Sequence, residues 1–266
     1  MKSQINLAFK KAKIENRPAL LTYTVAGDNT KKKSLEILKS ISKYADILEI
    51  GFPHNAPTAD GPQIQNSSYR ALKNGIKLEN TLKLVKKYKN LKNSKPIILM
   101  GYYQIIFNYG EKKFIRECKK AGVDGLIVVD LSYPDNVKFS KLCKKNSICF
   151  IQLVAPTTTT KRMREIVKIS HQIIYMISTI STTGSALKYT TTKIMKNYAI
   201  VKKIDPSKKV IIGFGITEKT ISKLKSADGL VVGSALCKEI SRSIKYRQNA
   251  ATNVNKLVKR LRKKIL

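Results

Sequence analysis

Eight short apolar segments, each followed by a stretch with helical periodicity, set the limits on what this chain can fold into. They span residues 19–25, 45–50, 97–100, 125–129, 148–154, 173–177, 209–212 and 229–232. Helices are expected between them at 32–44, 63–74, 78–91, 111–120, 136–145, 161–170, 193–204, 218–226 and 252–264. An amphipathic helix at 4–16 precedes the first strand, and residues 101–104 and 178–189 read as loops. Alternation of this kind implies parallel strands joined by right-handed crossovers. Eight such units in 266 residues match the size of a (β/α)8 TIM barrel, here a single α/β domain over residues 1–266 with an extra N-terminal helix. An open doubly wound sheet is the alternative, but no GxGxxG turn follows the first strand, where a dinucleotide-binding version carries one.

In such a barrel the active site lies at the C-terminal ends of the strands. The polar residues there are few: Glu49, Asp130, Tyr175, and the turns Gly213-Phe214-Gly215 and Gly233-Ser234-Ala235. Residues 48–65, LEIGFPHNAPTADGPQIQ, are the most informative stretch. A strand runs into a loop stiffened by Pro53, Pro57 and Pro62, and Glu49 and Asp60 stand at its two ends. The chain holds 52 Lys and Arg against 17 Asp and Glu, so a glutamate between Leu48 and Ile50 marks a site rather than a solubilising surface. An ion pair at a strand end is the alternative for Glu49, and an ordinary Asp-Gly turn the alternative for Asp60. The glycines after the last two strands, with Gly184 before them, suit backbone N–H groups approaching a phosphate, unless they only make tight turns.

The net charge of +35 raises the question of nucleic acid. A dedicated binder gathers its cations with aromatic or groove-reading residues, whereas the lysines here are spread over every expected helix, so neither nucleic acid nor membrane is expected as a partner. With two histidines and four cysteines (Cys118, Cys143, Cys149, Cys237) lacking close metal spacing, no zinc site is expected. No apolar run approaches the roughly 18 residues of a membrane span, and the start lacks a long apolar signal core. A cytoplasmic protein is the expectation.

Residues 23–28, the 48–65 block, MGYYQIIFNYG at 100–110, AGVDGLIVVDL at 121–131, the Thr183-Gly184 pair, GFGI at 213–216 and VGSA at 232–235 together resemble the α subunit family of tryptophan synthase. The likeness covers nearly the whole chain in order and spacing, and the 48–65 block is its specific element. It implies a lyase that cleaves indole-3-glycerol phosphate to indole and glyceraldehyde 3-phosphate in tryptophan biosynthesis. By resemblance Glu49 is the acid–base at the cleaving bond, Asp60 accepts the indole N–H and stabilises its cation, and Tyr175 supports both. Gly184, Gly213, Gly233 and Ser234 match phosphate-binding positions, and Ile64, Met100 and Phe214 are set to contact indole. No metal or organic cofactor is implied for this subunit. The implied partner is a pyridoxal-phosphate β subunit, two α with two β chains, receiving indole through a tunnel. Ala56 stands where the family usually carries an aspartate, His54-Asn55 replace commoner residues, Gln104-Ile105 replace Asn-Pro, and Ser181-Thr182 replace Gly-Val.

Overall fold

The computed structural model describes residues 3–178 and 191–266. Its strands are β1 (Ala19–Val25), β2 (Ile47–Gly51), β3 (Ile97–Gly101), β4 (Gly125–Val128), β5 (Cys149–Phe150), β6 (Gln152–Val154), β7 (Ile173–Ile177), β8 (Lys209–Gly213) and β9 (Gly229–Val232). All pairings are parallel, in the order β5-β4-β3-β2-β1-β9-β8-β7-β6. The two ends of that order, β5 and β6, are separated only by Ile151, whose N–H donates to the Leu126 carbonyl at 2.9 Å. The sheet therefore closes on itself, with β5 and β6 as two pieces of one barrel strand. This is the TIM barrel expected from the alternation.

Side chains on each strand divide with a period of two. Leu21, Tyr23, Ile47, Ile98, Ile127, Ile173, Tyr175 and Ile211 fill the barrel interior, while Leu20, Leu48, Ile50, Leu99, Leu126, Ile174, Ile212 and Leu230 face the surrounding helices. Each such Leu or Ile, fully buried, contributes about 1.5–3 kcal/mol. The helices are α1 (Gln4–Ile14), α2 (Lys31–Ile41), α3 (Pro62–Lys73), α4 (Leu78–Lys89), α5 (Tyr103–Tyr109), α6 (Glu111–Ala121), α7 (Asn136–Lys145), α8 (Thr160–Ile169), α9 (Thr191–Ile204), α10 (Ser234–Lys245) and α11 (Ala250–Lys263). In α6 the buried residues Phe114, Ile115, Cys118 and Ala121 recur at helical spacing, and Gly122 ends the helix in a left-handed conformation at φ 86°. Helix α1 closes the lower mouth, where Ile5 and Phe9 reach Gly125 and Gly229, the first residues of β4 and β9.

That lower end carries a repeated device. Asp46, Asp124, His171 and Asp228 lie just before β2, β4, β7 and β9, and each accepts a backbone N–H from the neighbouring strand. The donors are Leu20 at 2.7 Å, Ile97 at 2.8 Å, Phe150 at 3.0 Å and Val210 at 2.9 Å. Each carboxylate also holds a cation: Arg17 and Arg262 on Asp46, Lys89 on Asp124, Lys202 on Asp228. Strand starts that would leave unpaired donors are thereby satisfied.

Two expectations are corrected. Residues 101–104 are not all loop, because Tyr103 opens α5, a helix whose start is capped from a distant segment. The helix expected at 218–226 shrinks to one 3-10 turn, Ile221–Leu224. Thr220 Oγ1 accepts the Thr217 N–H at 2.9 Å, and Thr217 Oγ1 accepts the Lys219 N–H at 3.3 Å. Threonine hydroxyls here compete with the helix for its backbone groups.

Candidate active site

Burial of Leu48 and Ile50 against the outer helices forces the side chain between them, Glu49, into the barrel. Its register partners, Tyr23 on β1 and Ile98 on β3, are interior residues. Glu49 is 1% exposed, and among the described residues neither Lys nor Arg pairs with it and Oε2 has no hydrogen-bond partner. The ion-pair alternative is excluded for the described residues. Burial first, and then the negative charge of Asp60, raise its pKa to about 8.

Asp60 comes back to the same place through the loop after β2. The loop turns on itself, Asp60 N–H donating to the Pro57 carbonyl at 3.0 Å, and Gln65 Nε2 holds the Asp60 carbonyl at 2.8 Å. The Tyr102 hydroxyl accepts the Ala59 N–H at 3.0 Å and donates to Asp60 Oδ2 at 3.3 Å. Burial raises the Asp60 pKa to about 6, the Tyr102 hydrogen bond opposing it. At neutral pH Glu49 is thus mainly protonated and Asp60 mainly ionised, a division that equips two carboxyl groups for different tasks.

Tyr175 on β7 and Tyr23 on β1 are buried beside the pair, and burial together with the charges of Glu49 and Asp60 holds both phenols well above their ordinary pKa. They remain neutral. Any side chain at Gly213 would collide with the Tyr175 hydroxyl, and any at Gly51 with that of Tyr23, so these glycines are needed first to admit the tyrosines. Phe214 meets Tyr175 edge-on at 6.0 Å and 87°. Its φ of 69° is a left-handed conformation costly for a non-glycine residue. The Ser178 hydroxyl holds this turn through the carbonyls of Gly213, at 2.8 Å, and Phe214.

One cavity brings these groups together. Glu49, Asp60, Tyr175, Ile64, Met100, Phe214, Gly233 and Ser234 all line it, and no lysine or arginine among the described residues does. The first turn of α10 starts at the cavity edge with Ser234, where a helix start leaves N–H groups free to bind an anion. Gly213 lies beneath Tyr175 rather than in the lining, and Gly184, with Ser181 and Thr182, lies outside the described residues. Asp130 is not in the cavity. Sequence reasoning missed Tyr23, Tyr102, Ile216 and Val231, which also line or brace the site. Tyr23 was detectable as a polar tip on an interior position of β1, whereas Tyr102 is recognisable only from its contacts.

The family profile of the tryptophan synthase alpha chain matches residues 9–265. A tryptophan synthase alpha chain from Pelagibacter ubique is 65% identical over 263 residues, covering 99% of each chain. One from Thermococcus kodakarensis is 40% identical over 230 residues, 85% of this chain and 90% of the relative. The crystal structure of tryptophan synthase subunit alpha from Legionella pneumophila superposes with a TM-score of 0.90 at 29% identity, covering 100% of this chain and 99% of that one.

Proposed function

The chain belongs to the tryptophan synthase alpha chain family, a lyase that cleaves indole-3-glycerol phosphate to indole and glyceraldehyde 3-phosphate, and we propose that Glu49, Asp60 and Tyr175 carry that reaction here. The observation that supports the assignment is a pair of buried carboxyl groups in one cavity, unneutralised by any lining cation among the described residues, whose pKa values are held apart at about 8 and about 6.

The protonated Glu49 delivers its proton to the indole ring carbon that bears the side chain. Positive charge then develops on the ring nitrogen, and ionised Asp60 accepts the N–H and stabilises it. Glu49, now a carboxylate, takes the proton from the hydroxyl on the adjacent carbon. The O–H electron pair becomes the carbonyl of the aldehyde. The carbon–carbon bond breaks, and its electrons return to the ring and restore neutral indole. One proton enters and one leaves, both by way of Glu49. Tyr175, neutral and fixed over Gly213, donates a hydrogen bond beside the reacting carbons.

Ile64, Met100 and Phe214 supply apolar surface for the flat indole. The phosphate is assigned to backbone N–H groups at Gly233 and Ser234, with Gly213 and Gly184 belonging to the same site. We assign no metal or organic cofactor to this subunit. Its partner is the β subunit, carrying pyridoxal phosphate in an assembly of two α and two β chains, to which indole passes directly. One catalytic domain in the cytoplasm, acting on a small phosphate ester and not on nucleic acid, completes the proposal. No helix among the described residues is long and apolar enough to cross a membrane.

Indole release by the purified chain, alone and with a β subunit, tests the assignment. Glu49→Gln is expected to bind substrate and fail to cleave it, and Asp60→Asn to lose less. A fully active Glu49→Gln chain would overturn the mechanism.

A further inference from the structure

Asp130 stands at the end of a barrel strand, yet it lies outside the cavity and the mechanism does not use it. What it touches is Tyr103, the residue next to Tyr102, which holds Asp60. Its Oδ1 accepts the Tyr103 N–H at 2.6 Å, and the preceding Val129 N–H donates to the Gly101 carbonyl at 3.0 Å. The end of β4 therefore grips the backbone on both sides of Tyr102. Tyr102 is 5% exposed, its hydroxyl bonds Ala59 and Asp60, and the His54 ring lies against its ring with centroids 4.9 Å apart. The first N–H of α5 has no cap from its own segment, so the Asp130 carboxylate is what satisfies it.

We propose that Asp130 is a positioning residue for the cleavage reaction: by capping α5 at Tyr103 it fixes Tyr102, and through the Tyr102 hydroxyl it fixes the Asp60 carboxylate. The inference rests on the assignment of Asp60 made above. Without the cap, the Tyr103 amide seeks water, the head of α5 shifts, and the Asp60 carboxylate loses its hydroxyl donor. Because the indole nitrogen is charged only during reaction, a displaced Asp60 lowers turnover more than substrate affinity.

The test is a double-mutant cycle on the full chain with its β subunit, following indole release from indole-3-glycerol phosphate. Asp130→Ala is expected to lower kcat about tenfold, the range of one hydrogen bond to a charged group, with little change in KM. Asp130→Asn, which keeps an accepting oxygen, restores most of it. In a Tyr102→Phe background, Asp130→Ala costs nothing further, since the route to Asp60 is already cut. Three results would each overturn the proposal: an Asp130→Ala chain as active as the parent, a penalty fully additive with Tyr102→Phe, or an Asp130→Asn chain as impaired as Asp130→Ala. Thermal unfolding of each variant separates a folding defect, which would depress Asp130→Ala in both backgrounds, from the coupled loss expected. An Asp60→Asn chain as active as the parent would instead refute the assignment of Asp60.

Discussion

Asp46 immediately precedes β2 and Glu49 lies within it, yet the two carboxyl groups are treated in opposite ways. Asp46 accepts two hydrogen bonds from Arg17, at 2.6 and 2.9 Å, one from Arg262 at 2.8 Å and one from the Leu20 N–H. Burial alone would raise its pKa, but these donors and charges hold it below the ordinary value. Glu49 is as deeply buried and no cation among the described residues pairs with it, so its pKa climbs to about 8. In a chain with a net charge of +35, cations are plentiful, yet among the described residues none pairs with Glu49 or lines its cavity. Carboxylates at the lower end hold strands in place. Those at the upper end, Glu49 and Asp60, are the pair proposed above to exchange protons, and raised pKa values suit that task.

Substitutions at the two positions should therefore fail in opposite ways. Glu49→Gln is expected to lower cleavage about 10³-fold, within the usual range for a general acid–base, while leaving the chain folded, and steady-state indole release measures it. Asp46→Asn should instead remove the buried charge between Arg17 and Arg262, leaving Glu15 as their remaining carboxylate among the described residues, and cost about 3 kcal/mol of stability. Urea unfolding reads that loss, and kcat per folded molecule should stay at the parent value. If Asp46→Asn impaired turnover of folded chains, the separation of the two ends would break down.

Acidity sharpens the contrast. The raised pKa of Glu49 means that the folded chain keeps a proton which the unfolded chain releases above about pH 4.5. Its contribution therefore favours folding at low pH and is lost as pH rises from about 4.5 toward about 8. Glu49→Gln should be more stable than the parent at pH 8 and above, with the gap closing near pH 5. Asp46 behaves the other way, contributing above its unfolded pKa and losing that contribution as pH falls through its lowered folded value. The cleavage profile should rise through about pH 6 as Asp60 ionises and fall through about pH 8 as Glu49 deprotonates. A flat profile between pH 5 and 9 would detach both groups from the chemistry. Tyr175→Phe has the smallest expected effect, a loss of turnover of about tenfold or less from one hydrogen bond, with unfolding in urea little changed.

The barrel was legible because each strand buries both faces and each helix one, a periodicity that composition bias toward lysine leaves intact. Glu49 stood out because its neighbours Leu48 and Ile50 dictate its direction. Other features depend on partners far along the chain. Helix α5 begins at Tyr103 because Asp130 caps it, and nothing near Tyr103 in sequence signals that. Tyr102 owes its place beside Asp60 to bonds from the loops after β2 and β4, and the helix expected at 218–226 yields to hydroxyl bonds that periodicity does not register. The two pieces of the fifth barrel strand, β5 and β6, read as one run because the interruption at Ile151 is geometric, not chemical.

The pairing of β1 with β9, where Ala19 lies in register with Gly229, also governs when the cavity holding Glu49 and Asp60 can exist. Val231, on the last strand, and Gly233, just after it, help to wall it. During synthesis the ribosome delivers Glu49, Asp60 and their loop long before the strand that shuts the ring. Until then β1 has an open edge, and the carboxyl pair lacks part of the wall whose burial raises its pKa. On the proposed assignment, proton-transfer competence comes with ring closure, and a nascent chain stalled before β9 would carry every proposed catalytic side chain without the walls that bury them.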